Sequence, residues 1–250
     1  MYVIISVVNF IFFTTGFSIG LVYIFKRLSV NRNIRKNALT NIGEDVSIHN
    51  DKGAKFAYKG ICSYLRGDHS PALDYLEKAM KYSGALHNNA FCFDWMAKCY
   101  DAQEKPAESL NCYVKAVQSE PSNLKSLFNL ADTYARRGSF TKAEFYYNRI
   151  LRYDKENTIA TFMLGTLFMG RGLYDEAEEK FLRTLEMDSN FEAALAELSV
   201  IMAIKGDYSQ MNSYYDKTKQ TAANNQYIES DRLEKRLNSI KKMKELCNDC

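Results

Sequence analysis

Residues 124–157 read LKSLFNLADTYARRGSFTKAEFYYNRILRYDKEN, and this stretch decides the fold. Leu124, Leu127, Leu130, Ala131 and Tyr134 recur at the three- and four-residue spacing of one helix face, and Gly138 then ends that pattern. A second periodic run follows, with Ala143, Tyr147 and Ile150 on one face. Two helices of about four turns separated by one glycine predict a helical hairpin. Gly172 and Gly206 repeat the punctuation at the same interval, and Gly67 stands two periods and three residues before Gly138. With each glycine as position 15 the frames are 53–86, 90–123, 124–157, 158–191 and 192–225, and His87, Asn88 and Asn89 form an insertion.

The side chains of these frames resemble the tetratricopeptide repeat family. Its unit is a pair of antiparallel helices with small residues at positions 8, 20 and 27 and large ones at 4, 7, 11 and 24. The frame 124–157 places Leu127, Leu130, Ala131, Tyr134, Ala143 and Tyr147 at these positions and departs only at Ile150. The frame 90–123 carries Phe93, Met96, Ala97, Tyr100, Ser109, Tyr113 and Ala116, and 158–191 carries Leu164, Gly165, Phe168, Ala177 and Phe181. The outer frames are looser: Lys59 and Ser63 stand at apolar positions, and Met211 replaces a small residue. Small residues let helix backbones approach while large ones fill the gaps that remain. The resemblance implies an all-α solenoid of about five repeats.

Flanking segments read differently. Tyr2 to Phe25 carries no charged side chain and, as a helix of roughly 36 Å, is long enough to span a hydrocarbon core of about 30 Å. Residues 1–25 are expected to be an uncleaved membrane anchor, because no Lys or Arg precedes Lys26. Lys26, Arg27, Arg32, Arg35 and Lys36 follow it in a basic juxtamembrane segment and linker, 26–52. The positive-inside rule then places the N-terminus outside and the repeats in the cytoplasm. Gly16 and Gly20 form a GxxxG that would let two anchors pair as a weak homodimer. From 53 to 225 the charges nearly balance, which speaks against a nucleic-acid surface. Residues 226–250 are expected to form a capping helix, with Leu233, Leu237, Ile240, Met243 and Leu246 on one stripe.

Chemistry is sparse. His49, His69 and His87 fall in the linker and turns, and no phosphate-cradling glycine loop is seen, so the chain reads as a non-enzyme without cofactor. Cys247 and Cys250 have the CxxC spacing of half a zinc site or a redox pair, with no second pair to complete it.

In the resembled family, partners bind a concave surface lined by the first helix of each repeat, at positions 2, 5, 6, 9, 12 and 13. The residues so implicated are Phe91, Asp94, Trp95 and Lys98; Lys125, Phe128, Asn129, Asp132 and Arg136; and Phe162, Met163 and Thr166. Ala193, Ala196 and Val200 continue the set into the last repeat. Such a groove suits a peptide or helix with one charged and one apolar end. The simpler expectation for Phe162, Met163 and Met169 is packing within the repeats or beneath the C-terminal helix. The function expected is a membrane-tethered interaction adaptor. The alternatives are a structural subunit docking through its convex face or C-terminal helix, and a redox or metal role for the terminal cysteines.

Overall fold

A chain that reverses direction after a helix passes through the left-handed region, where a Cβ costs about 1 kcal/mol. In the computed structural model, which describes residues 33, 36, 37, 51–82, 89–222 and 230–248, Gly67, Gly138, Gly172 and Gly206 have φ of 89°, 71°, 75° and 85°. After each, one N–H reaches back five residues: Asp68 to the Ser63 carbonyl, Ser139 to Tyr134, Leu173 to Phe168 and Asp207 to Met202, at 2.9 to 3.0 Å. These bonds satisfy carbonyls that the helix end would otherwise orphan. Glu104 takes the same place in the frame that lacks the glycine, with φ 57° and Lys105 N–H on the Tyr100 carbonyl at 2.9 Å.

The described residues form eleven helices and no strand. They fall into two compact units, divided between Glu120 and Pro121. The first unit holds α1 (Lys52–Arg66), α2 (His69–Lys81), α3 (Asn89–Ala102) and α4 (Pro106–Ser119). Here α1 pairs with α2 and α3 with α4, and α2 packs on α3. The second unit holds α5 (Leu124–Arg136), α6 (Phe140–Tyr153), α7 (Thr158–Gly170), α8 (Tyr174–Met187), α9 (Glu192–Lys205), α10 (Tyr208–Ala222) and α11 (Ser230–Asn248). Hairpins α5–α6, α7–α8 and α9–α10 stack through α6 on α7 and α8 on α9, and α11 packs on α9.

Capping residues mark the hairpin starts. The side chains of Asn123 and Asn157 accept from the N–H groups of Ser126 at 3.1 Å and Ala160 at 2.9 Å, and Asp51 accepts from Gly53 at 2.8 Å. Each satisfies a donor with no partner inside its helix. Arg149 closes the α6 end of its hairpin by donating to the Pro121 carbonyl at 2.9 Å.

Within a hairpin, the small residue at position 8 faces the large one at position 24. A Cβ on Gly165 would lie 2.6 Å from Phe181 Cε1, and one on Gly60 would lie 2.9 Å from Leu76 Cγ. Leu76, Tyr147 and Phe181 are fully buried, as are Ala97, Ala131 and Ser199. The alternation of small and large residues thus sets how closely the paired helices approach. Ile150, which departs from the family pattern, is buried too, and so is Met211.

The anchor read over 1–25, with Gly16 and Gly20, lies outside the described residues, as does most of the linker. Among the described residues no helix is long and apolar enough to cross a membrane. Leu233 and Leu237 of α11 are buried with α9, and Ile240 packs against the same cluster. The side chains of Met243, Leu246, Cys247 and Cys250 lie outside the described set.

Candidate interaction surface

The residues implicated for partner binding sit on the first helices α3, α5 and α7, and the structure treats them unequally. In the first unit, Asp94 and Trp95 of α3 are buried, each 4% exposed. Trp95 meets Tyr64 of α1 edge-on at 5.4 Å and Phe91 at 6.4 Å. The indole therefore joins the α1–α3 packing rather than standing as an exposed anchor. Phe91 is half-buried, and Lys98 keeps its ammonium 4.3 Å from the Trp95 ring. This cation–π contact holds the charge at the rim of the unit.

In the second unit, α5 offers a more open face. Phe128, Asn129 and Asp132 are half-buried while Lys125 and Arg136 are exposed. Arg136 Nε donates to Asp132 Oδ2 at 3.0 Å and Nη2 to Thr133 Oγ1 at 3.3 Å, so the guanidinium lies along the helix. Exposed i,i+4 pairs of this kind contribute only about 0.3–0.5 kcal/mol. Phe128, half-buried, leans edge-on against Tyr147 at 5.8 Å. Beneath it, the Tyr147 hydroxyl and the Asn129 amide nitrogen are buried without a hydrogen-bond partner among the described residues. Burial raises the proton affinity of that hydroxyl, with Asp132 adding to the effect and Arg136 opposing it.

The α7 face is apolar. Phe162 packs against Phe181 at 5.4 Å and Phe191 at 5.0 Å, so position 5 again leans on position 24. Phe162 is thus as much core as surface. Met163 and Thr166 are half-buried, and the Thr166 hydroxyl donates to the Met163 carbonyl at 2.8 Å, which leaves its methyl outward-capable but its proton spent. Ile159, one turn before Met163, is 55% exposed.

The cysteines of the first unit are structural. Cys62, Cys92, Cys99 and Cys112 are buried, and burial pushes the thiols of Cys92 and Cys99 up to about 12. Neutral thiols of this kind are poor nucleophiles and poor metal ligands. Among the described residues no group of three His, Cys, Asp or Glu is placed to hold a metal ion.

With the hairpins, their glycine turns and the position 8 to position 24 contact in view, comparison with known proteins is direct. A family model described as the tetratricopeptide repeat matches residues 96–157 and 146–190. The resemblance therefore holds for residues 96–190. Solved structures extend the likeness in fold across more of the chain. A tetratricopeptide repeat protein from Parabacteroides merdae superposes with a TM-score of 0.66 at 21% identity, covering 77% of this chain and 73% of its own. The crystal structure of MamA gives 0.59 at 18%, covering 72% of this chain and 100% of MamA. The pilF protein of Pseudomonas aeruginosa gives 0.59 at 19%, covering 68% and 76%. No curated protein matches the chain in sequence. Helical hairpins of the tetratricopeptide type are the fold, and such repeats generally mediate protein–protein contacts.

Proposed function

We propose that the chain is an interaction adaptor, tethered to a membrane by residues 1–25, that recruits a protein through the first helices of its hairpins. The observation that carries this reading is the α5 face. A half-exposed aromatic, Phe128, stands one turn from an exposed Asp132–Arg136 pair, followed on α7 by half-buried Phe162, Met163 and Thr166. Aromatic and arginine side chains dominate the energetics of protein interfaces, and a weak surface ion pair is cheaply exchanged for one with a partner. The expected ligand is a peptide or helix with one charged and one apolar end. Lys125 extends the charged end, while Phe91 and Lys98 form the accessible part of the corresponding face in the first unit. The uncharged run from Tyr2 to Phe25 and the basic residues from Lys26 to Lys36 support the tether, with the repeats on the cytoplasmic side.

Replacing Phe128, Asp132 and Arg136 together by Ala in the full chain should reduce capture of cross-linked partners from its native membrane at least tenfold, with helix content unchanged. Undiminished capture overturns the assignment of the α5 face. A second reading, a structural subunit docked through the second helices, draws on the exposed Phe145 and Tyr153 of α6 and Leu182 of α8. It expects the triple substitution to be silent and charged residues at those three positions to release the complex.

A further inference from the structure

In the second unit each hairpin hands its second helix to the next first helix, α6 to α7 and α8 to α9. The last helix departs from that order, because α11 packs on α9 itself. It covers the side that stays partly open on α5 and α7. Positions 5 and 9 are Phe128 and Asp132 on α5 and Phe162 and Thr166 on α7, all half-buried. On α9 they are Ala196 and Val200, buried in one cluster with Leu233 and Leu237 of α11. At position 6 the two Glu197 carboxylate oxygens receive Arg236 Nη1 at 3.0 and 3.2 Å. Glu234 accepts from the Tyr215 hydroxyl of α10 at 3.1 Å, and Lys241 lies 5.4 Å from the Tyr208 ring, so both flanks of α11 are also fixed.

This is the geometry of helix-in-groove recognition. Leu233 and Leu237, four apart, are buried in one cluster with Ala196 and Val200, and Arg236 beside them meets the Glu197 carboxylate. On α11, Lys235, Asn238, Ser239, Lys241 and Lys242 are exposed. Beyond it the apolar surface continues, since Phe162, Phe168 and Met169 of α7 pack against the same cluster while only partly buried. We infer that the groove side of α9 is a helix-binding site with α11 as its built-in occupant. A partner binds there as an amphipathic helix of pattern Leu-x-x-Arg-Leu, displacing α11 and extending over α7. That a partner exists rests on the adaptor reading, but the site is testable without one.

The test uses a labelled peptide of residues 230–248 titrated against the full chain by fluorescence anisotropy. The full chain carrying Leu233→Asp and Leu237→Asp is expected to bind the peptide at least tenfold more tightly than the unaltered chain, because its own α11 no longer competes. Adding Glu197→Arg to that variant should weaken binding about tenfold, and a peptide carrying Arg236→Glu should recover it. Equal binding by the unaltered and Leu233/Leu237 chains, or binding indifferent to Glu197, overturns the inference. Loss of helicity beyond that of α11 itself in the Leu233/Leu237 variant does so too, because α11 is then a structural cap. Arg236→Glu in the full chain leaves both leucines in place and should still raise peptide affinity severalfold; no change counts against the inference. Peptide binding as expected together with a silent Phe128, Asp132 and Arg136 substitution would remove the adaptor reading of α5 alone.

Discussion

Among the described residues, Glu104 is the one residue other than glycine with a positive φ. It occupies the turn that glycine fills in the other four hairpins, and its backbone makes the same reach-back bond through Lys105. The left-handed conformation burdens its Cβ by about 1 kcal/mol, and glycine relieves this at some cost in unfolded-chain entropy. Glu104→Gly should therefore stabilise the chain by about 0.5–1 kcal/mol, seen in urea as a higher midpoint with unchanged slope. A lower midpoint would show that the glutamate side chain contributes more than the turn costs. The turn itself was legible from three glycines 34 residues apart, but the strain at Glu104 was not, because a side chain name carries no φ. Asp94 and Trp95 teach the same limit. Their repeat positions pointed to a groove, yet Tyr64 from another hairpin reaches Trp95 at 5.4 Å and encloses it, and local spacing cannot report which distant ring fills a gap.

At the scale of helices, the contact of position 8 with position 24 governs pairing. Gly165→Ala would favour the isolated α7 helix by about 1 kcal/mol. In the folded hairpin, however, its methyl would lie 2.6 Å from the fully buried Phe181 ring, and such overpacking costs about 1–3 kcal/mol. The net expectation is destabilisation of about 1–2 kcal/mol in thermal or urea unfolding. Combining it with Phe181→Leu should yield less loss than the sum of the two single changes, since one relieves the other's clash. Simple additivity would contradict the contact. Helix existence and this pairing were legible because period, glycine punctuation and small–large alternation all agree. Which residues of the last hairpin α11 covers was not. A stripe of Leu233, Leu237 and Ile240 states that a helix face is buried, not against which residues, and the side chains of Ala196 and Val200 gave no sign that they share its cluster.

At the scale of the whole molecule, the proposed function gives recognition to the nearly balanced repeats and placement to the uncharged, basic-flanked N-terminal run. The adaptor proposal places recognition on the first helices, at the charge pair and half-exposed aromatic of α5 and at the face of α9 that shares a buried cluster with α11. The rival assigns it to the second helices, where Phe145 and Leu182 are exposed. Site-specific photo-cross-linking separates the two within one experiment. A photoreactive residue is placed at Asp132 in one copy of the chain and at Leu182 in another, each in its native cells, and adducts are resolved by mass. The adaptor account predicts a partner adduct from position 132 that is absent or at least tenfold weaker from position 182. An adduct from position 182 alone would contradict it.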